Sequence, residues 1–467
     1  LMLFRQWINS ERNVMAQKLQ SQFQLSKSRL ESDFPESKPL FSESEALIEA
    51  NRCLFCYDAP CIKACPTDID IPSFIKKIKT GNIRGAATTI FSSNMMGIST
   101  SQVCPVEELC AGACVFLDYN QSPINIGRLQ RYAVDQAVQI EKSSGRKLFQ
   151  PHTDRQKKVA LIGAGPASLA CASYLALEGV HPIIFEKNNL PGGLNLTGIA
   201  PYKFKSEAAL AEINWLLDHG IELKTGVEIG NDIHIESLIE EYDALFIGTG
   251  LGRDKFLNIP GKSGTNVWGA TALIKKIKNE VDFKLPGSLN SAVIIGGGNT
   301  AIDIARELAM LGIPEVNILY RRTEQMMRGY AHEISGARKH GVRLIENITP
   351  LEIILENGSV KELITEHSVT GETVNYNCDM VIFAIGQDKQ TSHFSKFLKY
   401  DDLGCILVDD ETCRTDHPKI FAGGDSINGG KEVVNAAADG RKAAFAMLKS
   451  WNIQPNLENI NKGSYHG

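Results

Sequence analysis

KKVALIGAGPASLACASYLALEGVHPIIFEK, residues 157–187, decides the fold. It reads as a buried apolar strand, a glycine turn, a helix and a second strand, the repeating unit of parallel α/β sheets. The apolar run 159–177 is long enough to suggest a membrane span. Its Gly-Ala-Gly-Pro break instead marks strand, turn and helix. Gly163, Gly165 and Ser168 form G-x-G-x-x-S. The first glycine permits the tight turn, and the second lets a pyrophosphate approach amides at a helix N-terminus. Ser168 stands where Gly or Ala is usual for close helix–strand packing. Glu186 ends the second strand, twenty-one residues after Gly165, where a carboxylate accepts from ribose hydroxyls. Gly163, Ala164, Gly165, Pro166, Ala167 and Ser168, with Glu186 and Lys187, are therefore candidate dinucleotide-binding residues.

SAVIIGGGNTAIDIARELAMLGIPEVNILYRR, residues 291–322, repeats the unit. Gly296, Gly298 and Ala301 give G-x-G-x-x-A, and Gly297, Gly298, Asn299 and Thr300 are candidates for a second nucleotide. The second strand ends in Tyr320-Arg321-Arg322, with Arg328 close behind. Arginine in place of the acid suits a 2′-phosphate through charge-assisted bonds. The plainer reading is a solvated strand end. YDALFIGTG (242–250) and CDMVIFAIG (378–386) are strand-and-glycine endings after the two units. The latter makes Ala384, Ile385 and Gly386 candidates as well. The expected class is α/β.

One module suited to FAD and a later one suited to NAD(P)H resemble the flavoproteins with two dinucleotide-binding domains. The resemblance covers residues 157 to about 450. FAGGD, with Gly424 and Asp425, looks like that family's second FAD motif, in which the Asp contacts the ribityl chain. Gly192, Gly193 and Leu194 match its flavin-side loop, and Lys203 is a further cofactor-binding candidate. The family inserts the nicotinamide domain into the FAD domain. The implied layout is a helical domain over 1–150, an FAD domain from 151–287 and 387–467, and an NAD(P)H domain over 288–386.

The helical part carries NRCLFCYDAPCIKACP, with Cys53, Cys56, Cys61 and Cys65, and VCPVEELCAGAC, with Cys104, Cys110 and Cys114. The first spacing is C-x2-C-x4-C-x3-C-P, two residues longer in its middle gap than the bacterial ferredoxin run. C-x2-C also suits zinc. Flavin and nicotinamide modules in the same chain favour iron–sulfur. Ser42 and Glu45 predict a capping box before a helix over 41–52. Helical spacing continues over 70–94 with a stop at Gly81, and over about 127–142. Little apolar bulk accompanies these helices, so inorganic centres are expected to support their folding. Cys171, Cys378, Cys405 and Cys413 are isolated and expected in cores. None of those four forms C-x-x-C, against a thioredoxin-reductase type of chemistry.

A narrower resemblance runs from about residue 45 to 450. DAPC (58–61), CPTDIDI (65–71), SPINIGRLQRYA (122–133) and GAGPAS (163–168) are similar to the N-terminal half of dihydropyrimidine dehydrogenase and its bacterial electron-input subunit. The small subunit of glutamate synthase is a broader relative. That resemblance implies two 4Fe–4S clusters whose eighth ligand is a glutamine, here Gln130. It assigns Cys53, Cys56, Cys61 and Cys114 to one cluster, and Cys65, Cys104, Cys110 and Gln130 to the other. It further implies electron transfer from NAD(P)H through FAD and the clusters to an FMN-containing subunit that reduces uracil or thymine. An electron-input subunit of the glutamate synthase kind is the alternative. A nucleotide-sensing scaffold with structural zinc is an alternative of another class.

Composition agrees with an ordinary globular chain: 467 residues, 43% hydrophobic, 22% charged, net charge −5. That charge gives no reason to expect nucleic acid or an anionic membrane as partner. The start, LMLFRQWINSERNVM, lacks a long apolar core, so a cytoplasmic chain is expected, with a terminus that need not be native. Eleven cysteines in such a compartment point to metal or catalysis rather than disulfides. No general acid or base is called for. His332-Glu333 lacks the second His of a zinc-protease motif. The arginines favour NADPH, while the bacterial resemblance allows NADH. The motifs read above leave no barrel for FMN up to residue 467, so the FMN portion is expected on another chain.

Overall fold

The computed structural model describes residues 23, 25–287, 289–390 and 394–456. The first fifteen residues, read above for a leader, lie outside that set. The helical part comprises α1 (Glu43–Arg52), α2 (Ile71–Lys79), α3 (Ile83–Ser93), α4 (Gly97–Val103) and α5 (Ile126–Ser144). Ser42 closes the capping box, accepting from Glu45 N while the Glu45 carboxylate takes the Ser42 amide. Thr80-Gly81-Asn82 divides α2 from α3, with Gly81 at φ +74 and the Asn82 side chain capping α3. Gly145, at φ +68, ends α5.

The first sheet then begins: β1 (Lys158–Ile162), α6 (Pro166–Leu177), β2 (His181–Glu186), α7 (Ser206–Leu217), β3 (Glu222–Thr225) and β4 (Ala244–Ile247). The second follows: β5 (Val267–Gly269), α8 (Ala270–Asn279), β6 (Ser291–Ile295), α9 (Asn299–Met310), β7 (Glu315–Leu319), β8 (Arg343–Ile345) and β9 (Met380–Phe383). The chain returns to the first sheet with β10 (Ile420–Ala422) and closes on α10 (Val433–Ser450). Strand orders are β10-β4-β1-β2-β3 and β5-β9-β6-β7-β8, with every pair parallel. In each sheet the central strand feeds a glycine loop. This is the α/β class expected from the sequence.

The strand β5 corrects the boundary expected at 287/288. Val267 pairs with Val381 of β9, so this edge strand and α8 after it belong to the second unit. The chain leaves the first unit along Leu251–Asp254 and returns along Gln387–Lys389, which pair antiparallel. The second unit therefore starts near residue 255. A three-stranded antiparallel sheet over residues 348–377 flanks it.

The helical part is not as poor in core as its composition suggests. Phe74, Ile75, Ile90, Phe91 and Leu129 are fully buried, in one cluster continuous with α6 and β1. Phe91 meets Trp215 of α7 with ring centroids 4.5 Å apart. The first unit thus supplies the apolar partner that the helices lack alone. Glu212 of α7 accepts from the amides of Ile98 (2.8 Å) and Ser99 (3.0 Å), fixing the start of α4.

Candidate cofactor sites

The first glycine loop is built around one close approach. Gly163 has φ +91, and a Cβ there would lie 2.7 Å from the Gly248 carbonyl. The loop therefore requires glycine for both conformation and space. Gly248, at the end of β4, also absorbs the unusual Ser168: a Cβ on Gly248 would meet Ser168 Oγ at 2.3 Å. Ser168 Oγ is buried without a hydrogen-bond partner among the described residues. Gly165 caps α6 with no side-chain bond of its own. A Cβ on Gly165 would meet nothing nearer than 3.9 Å. Free amides, a helix N-terminus and open space above Gly165 fit a pyrophosphate.

The other first-unit candidates gather at this loop. Gly192 N donates to Ala164 O (2.8 Å), and a Cβ on Gly193 would lie 3.0 Å from Gly165 Cα. Leu194 opens the short helix after them. On the opposite side, a Cβ on Gly424 would approach Ala167 Cβ at 3.2 Å, and Asp425 follows. Burial raises the Asp425 carboxyl above its ordinary value. Glu186 is buried, and its carboxylate accepts from Ala164 N (2.8 Å) and Asn188 N (2.8 Å). It therefore also holds the glycine loop's shape. Lys187 is exposed, with Nζ 3.2 Å from Gln390 Oε1. Lys203 has its charged partners in the second unit. Its Nζ sits between Asp303 and Glu333 of the second unit, 2.7 Å from each. Burial disfavours its charge, but those two carboxylates outweigh the effect and raise its pKa.

The second loop repeats the design. Gly296, at φ +153, has a virtual Cβ 2.3 Å from Ala384 O, and that of Gly297 falls 2.4 Å from the Tyr320 ring. Gly298 caps α9, again without a side-chain bond, and faces open space. Asn299 Oδ1 accepts from Tyr330 N (3.0 Å), and Thr300 follows in the first turn. Ile385 and Gly386, at φ +100, leave β9 beside Ala384. Arg321, Arg322 and Arg328 are exposed around this end, and none has an ion pair among the described residues. Arg328 N donates to Gly297 O, and the Arg322 guanidinium lies 5.7 Å from the Tyr320 ring.

The cysteines form two groups. Cys53, Cys56, Cys61 and Cys114 line one hollow of about 380 Å³, open solvent included, with Ile71, Ile75 and Ile126 behind them. Burial pushes the Cys61 thiol up to about 12, and the nearby Cys53, Cys114 and Cys56 add to the shift. Cys65, Cys104 and Cys110 form the other group. Burial pushes the Cys110 thiol up to about 12, and Cys65 and then Cys61 add to the shift. Cys104 is raised by burial, with Cys110 and Cys65 contributing. Buried thiols of this kind need a cationic centre to become thiolates. Among the described residues no three of Cys, His, Asp and Glu converge on a point that would hold a single ion. A hollow with four sulfurs on its wall suits a larger inorganic unit.

Gln130 lies on α5, buried beside α4, the helix that delivers Cys104. Its Nε2 donates to Gly97 O (2.8 Å) and Thr100 Oγ1 (3.1 Å). The carbonyl partner fixes which end of the amide is nitrogen, leaving Oε1 without a hydrogen bond among the described residues. Cys171, Cys378, Cys405 and Cys413 are buried and unpaired. No helix is long and apolar enough to cross a membrane among the described residues.

Comparison with known proteins agrees with both halves. A family model described as dihydropyrimidine dehydrogenase domain II, 4Fe-4S cluster, matches residues 30–142. The pyridine nucleotide-disulphide oxidoreductase family matches residues 157–440. The NAD-dependent dihydropyrimidine dehydrogenase subunit PreT of Escherichia coli K12 is 33% identical over 413 residues, covering 88% of this chain and 96% of that protein. The glutamate synthase [NADPH] small chain of the same organism is 33% identical over 450 residues, covering 89% and 93%. Among solved structures, thioredoxin reductase from T. acidophilum shares the fold at a TM-score of 0.53 and 24% identity, covering 64% of this chain and 100% of that one. FprA from Mycobacterium tuberculosis, in complex with NADPH, does so at 0.51 and 18%, covering 67% and 87%. The chain belongs to the pyridine nucleotide-disulphide oxidoreductase family, in the branch that joins this fold to an N-terminal 4Fe–4S domain, and is an NAD(P)H-dependent oxidoreductase.

Proposed function

We propose that the chain oxidises NADH or NADPH on its second unit, holds FAD on its first, and sends electrons through two 4Fe–4S clusters to a separate FMN-containing subunit that reduces uracil or thymine to the 5,6-dihydropyrimidine. The observation that carries this reading is the union, in one folded body, of two open glycine cradles and two groups of buried or half-buried cysteines. FAD, when bound, converts the two-electron donation of a nicotinamide into the single electrons that clusters accept. The chain's own residues bind and orient. Gly163–Ser168, Glu186, Gly192–Leu194, Gly424 and Asp425 would hold FAD. Gly297–Thr300 and Ala384–Gly386 would hold the nicotinamide nucleotide, with the free guanidinium groups of Arg321, Arg322 and Arg328 offered to a 2′-phosphate.

Cys53, Cys56, Cys61 and Cys114 would hold one cluster; Cys65, Cys104, Cys110 and Gln130 would hold the other. The unbonded Oε1 of Gln130, on the helix packed against the approach to Cys104, supports its part as the eighth ligand. Leu54, Tyr57, Leu117 and Tyr119 are 56%, 89%, 43% and 69% exposed beside Cys53, Cys56 and Cys114. That apolar rim supports docking of a partner where electrons would leave. Thiolate ligands also favour the reducing cytoplasm.

The test is anaerobic. NADH or NADPH should bleach the flavin, and addition of the co-purifying FMN subunit with uracil should re-oxidise it with loss of uracil absorbance. A chain whose flavin is not bleached by either nucleotide refutes the reading. The equal similarity to the glutamate synthase small chain makes that enzyme's large partner the second reading. Glutamate formation with such a partner, and none of the pyrimidine reaction, would decide for it.

A further inference from the structure

Three consecutive residues of α10, Asp439-Gly440-Arg441, touch three different parts of the molecule. Asp439 Oδ2 accepts from Gly424 N (2.9 Å), holding the turn before Asp425. Gly440 lets α10 approach α6: a Cβ there would lie 2.2 Å from Ala167 O, in the first turn beyond the glycine loop. Arg441 reaches the other way. Its Nη1 donates to Thr67 O (2.8 Å) and Ser93 O (2.9 Å), and its Nη2 lies 3.4 Å from the Asp68 carboxylate. One guanidinium thus ties the loop after Cys65 to the helix packed on the first cradle.

Thr67, at the centre of that loop, is completely buried. Its Oγ1 lies 3.3 Å from Cys65 Sγ, its one side-chain hydrogen bond among the described residues. In a free thiol either atom could be the donor. A thiolate bonded to iron carries no proton, so the hydroxyl must donate. Hydrogen bonds to cluster sulfurs are among the determinants of cluster potential. A donor stabilises the more negative, reduced state more than the oxidised one.

We propose that Thr67 and Arg441 are positioning residues for the cluster that Cys65 holds. The Thr67 hydroxyl donates to Cys65 Sγ and makes that centre easier to reduce. Arg441 keeps the donor in place and sets the loop against the flavin unit. The proposal rests on the reading of Cys65 as a cluster ligand.

The experiment is an EPR-monitored redox titration of the full chain, with iron, acid-labile sulfide and FAD measured on each sample. Wild type is compared with Thr67→Val, Thr67→Ser and Arg441→Met. Thr67→Val should load iron and lower one cluster's potential, shifting its one-electron reduction about tenfold, or 59 mV. The Ser variant should return close to wild type, because it keeps the hydroxyl. Arg441→Met should move the same centre in the same direction by a smaller amount. A Val variant with full iron and an unmoved potential overturns the proposal, and so do equal shifts in Val and Ser, which would mean packing alone. An unmoved potential in the Met variant removes Arg441 from it. Should the Val variant fail to assemble, pulsed EPR of the wild type in H2O and D2O must reveal an exchangeable proton coupled to this centre, which the Ser variant retains. Its absence overturns the proposal too. A wild type without iron or sulfide would refute Cys65 as a ligand, a separate failure visible before any variant is made.

Discussion

Gly298 separates binding from folding. It is the cap of α9, at φ −100 and ψ 175, a backbone conformation open to alanine. An added Cβ would have no neighbour within 4 Å. Alanine at a helix cap costs up to ~1 kcal/mol relative to glycine, and the stiffer unfolded chain returns ~0.4–1 kcal/mol. Gly298→Ala should therefore stay within about 1 kcal/mol of wild-type stability. The same methyl group would occupy the space that a pyrophosphate needs. A phosphate oxygen bonded to the first amides of α9 would sit about 2.9 Å from nitrogen, with no room for a carbon contact of about 3.5 Å. Losing one charge-assisted bond of ~1.5–3 kcal/mol raises the dissociation constant roughly 10- to 150-fold. Stopped-flow flavin reduction over a range of NADH and NADPH, beside a thermal melt, gives both quantities. Gly296→Ala is the contrast: at φ +153 and 2.3 Å from Ala384 O, it should lower the melt as well. A Gly298→Ala protein that melts normally and binds nicotinamide as the wild type does would refute the cradle.

Replacing Arg321 and Arg322 by alanine should raise the KM for NADPH much more than that for NADH; equal changes in steady-state assays would remove the phosphate role. Glu212 gives a pH dependence. Burial raises its carboxyl from 4.5 to about 7 against the pull of the Ser99 and Ile98 donors. Between those values the folded protein keeps a proton that the unfolded chain has lost, so stability falls as pH rises, by roughly 3 kcal/mol across the window. Denaturant curves of wild type and Glu212→Gln should diverge by about that amount between pH 5 and pH 7.5; parallel curves would contradict it. Gln130→Cys, if it assembles, should lower the potential of one cluster because thiolate adds negative charge. Gln130→Ala should alter iron content or the EPR spectrum, and three matching spectra would exclude the ligand role.

Much of this was legible in the chain because both cradles depend on glycine for steric reasons that sequence records. Gly163 and Gly296 each face a carbonyl that no Cβ could approach. The capping box at Ser42 was equally local. Less visible were features that depend on distant partners. Ser168 departs from the motif, and only the position of Gly248 opposite it explains why it is tolerated. The edge strand Val267–Gly269 has three residues and no alternation, so the second unit's start was read some thirty residues late. Lys203 reads as a cofactor-binding candidate from its place in the chain, and no local motif records that Asp303 and Glu333 of another unit hold its charge. No local signal marks Arg441, since its partners Thr67 and Ser93 lie more than 340 residues away in sequence.

The central claim is that one chain carries a flavin and two iron–sulfur clusters as an electron path. Its most direct test is the content of FAD, iron and acid-labile sulfide in the chain purified without oxygen, with the EPR spectrum after reduction by dithionite. The account predicts one FAD, about eight irons and about eight sulfides per chain, as two 4Fe–4S clusters require, and two overlapping signals. Zinc in place of iron, or four irons with a single signal while Cys65, Cys104 and Cys110 remain free to alkylation, would contradict it.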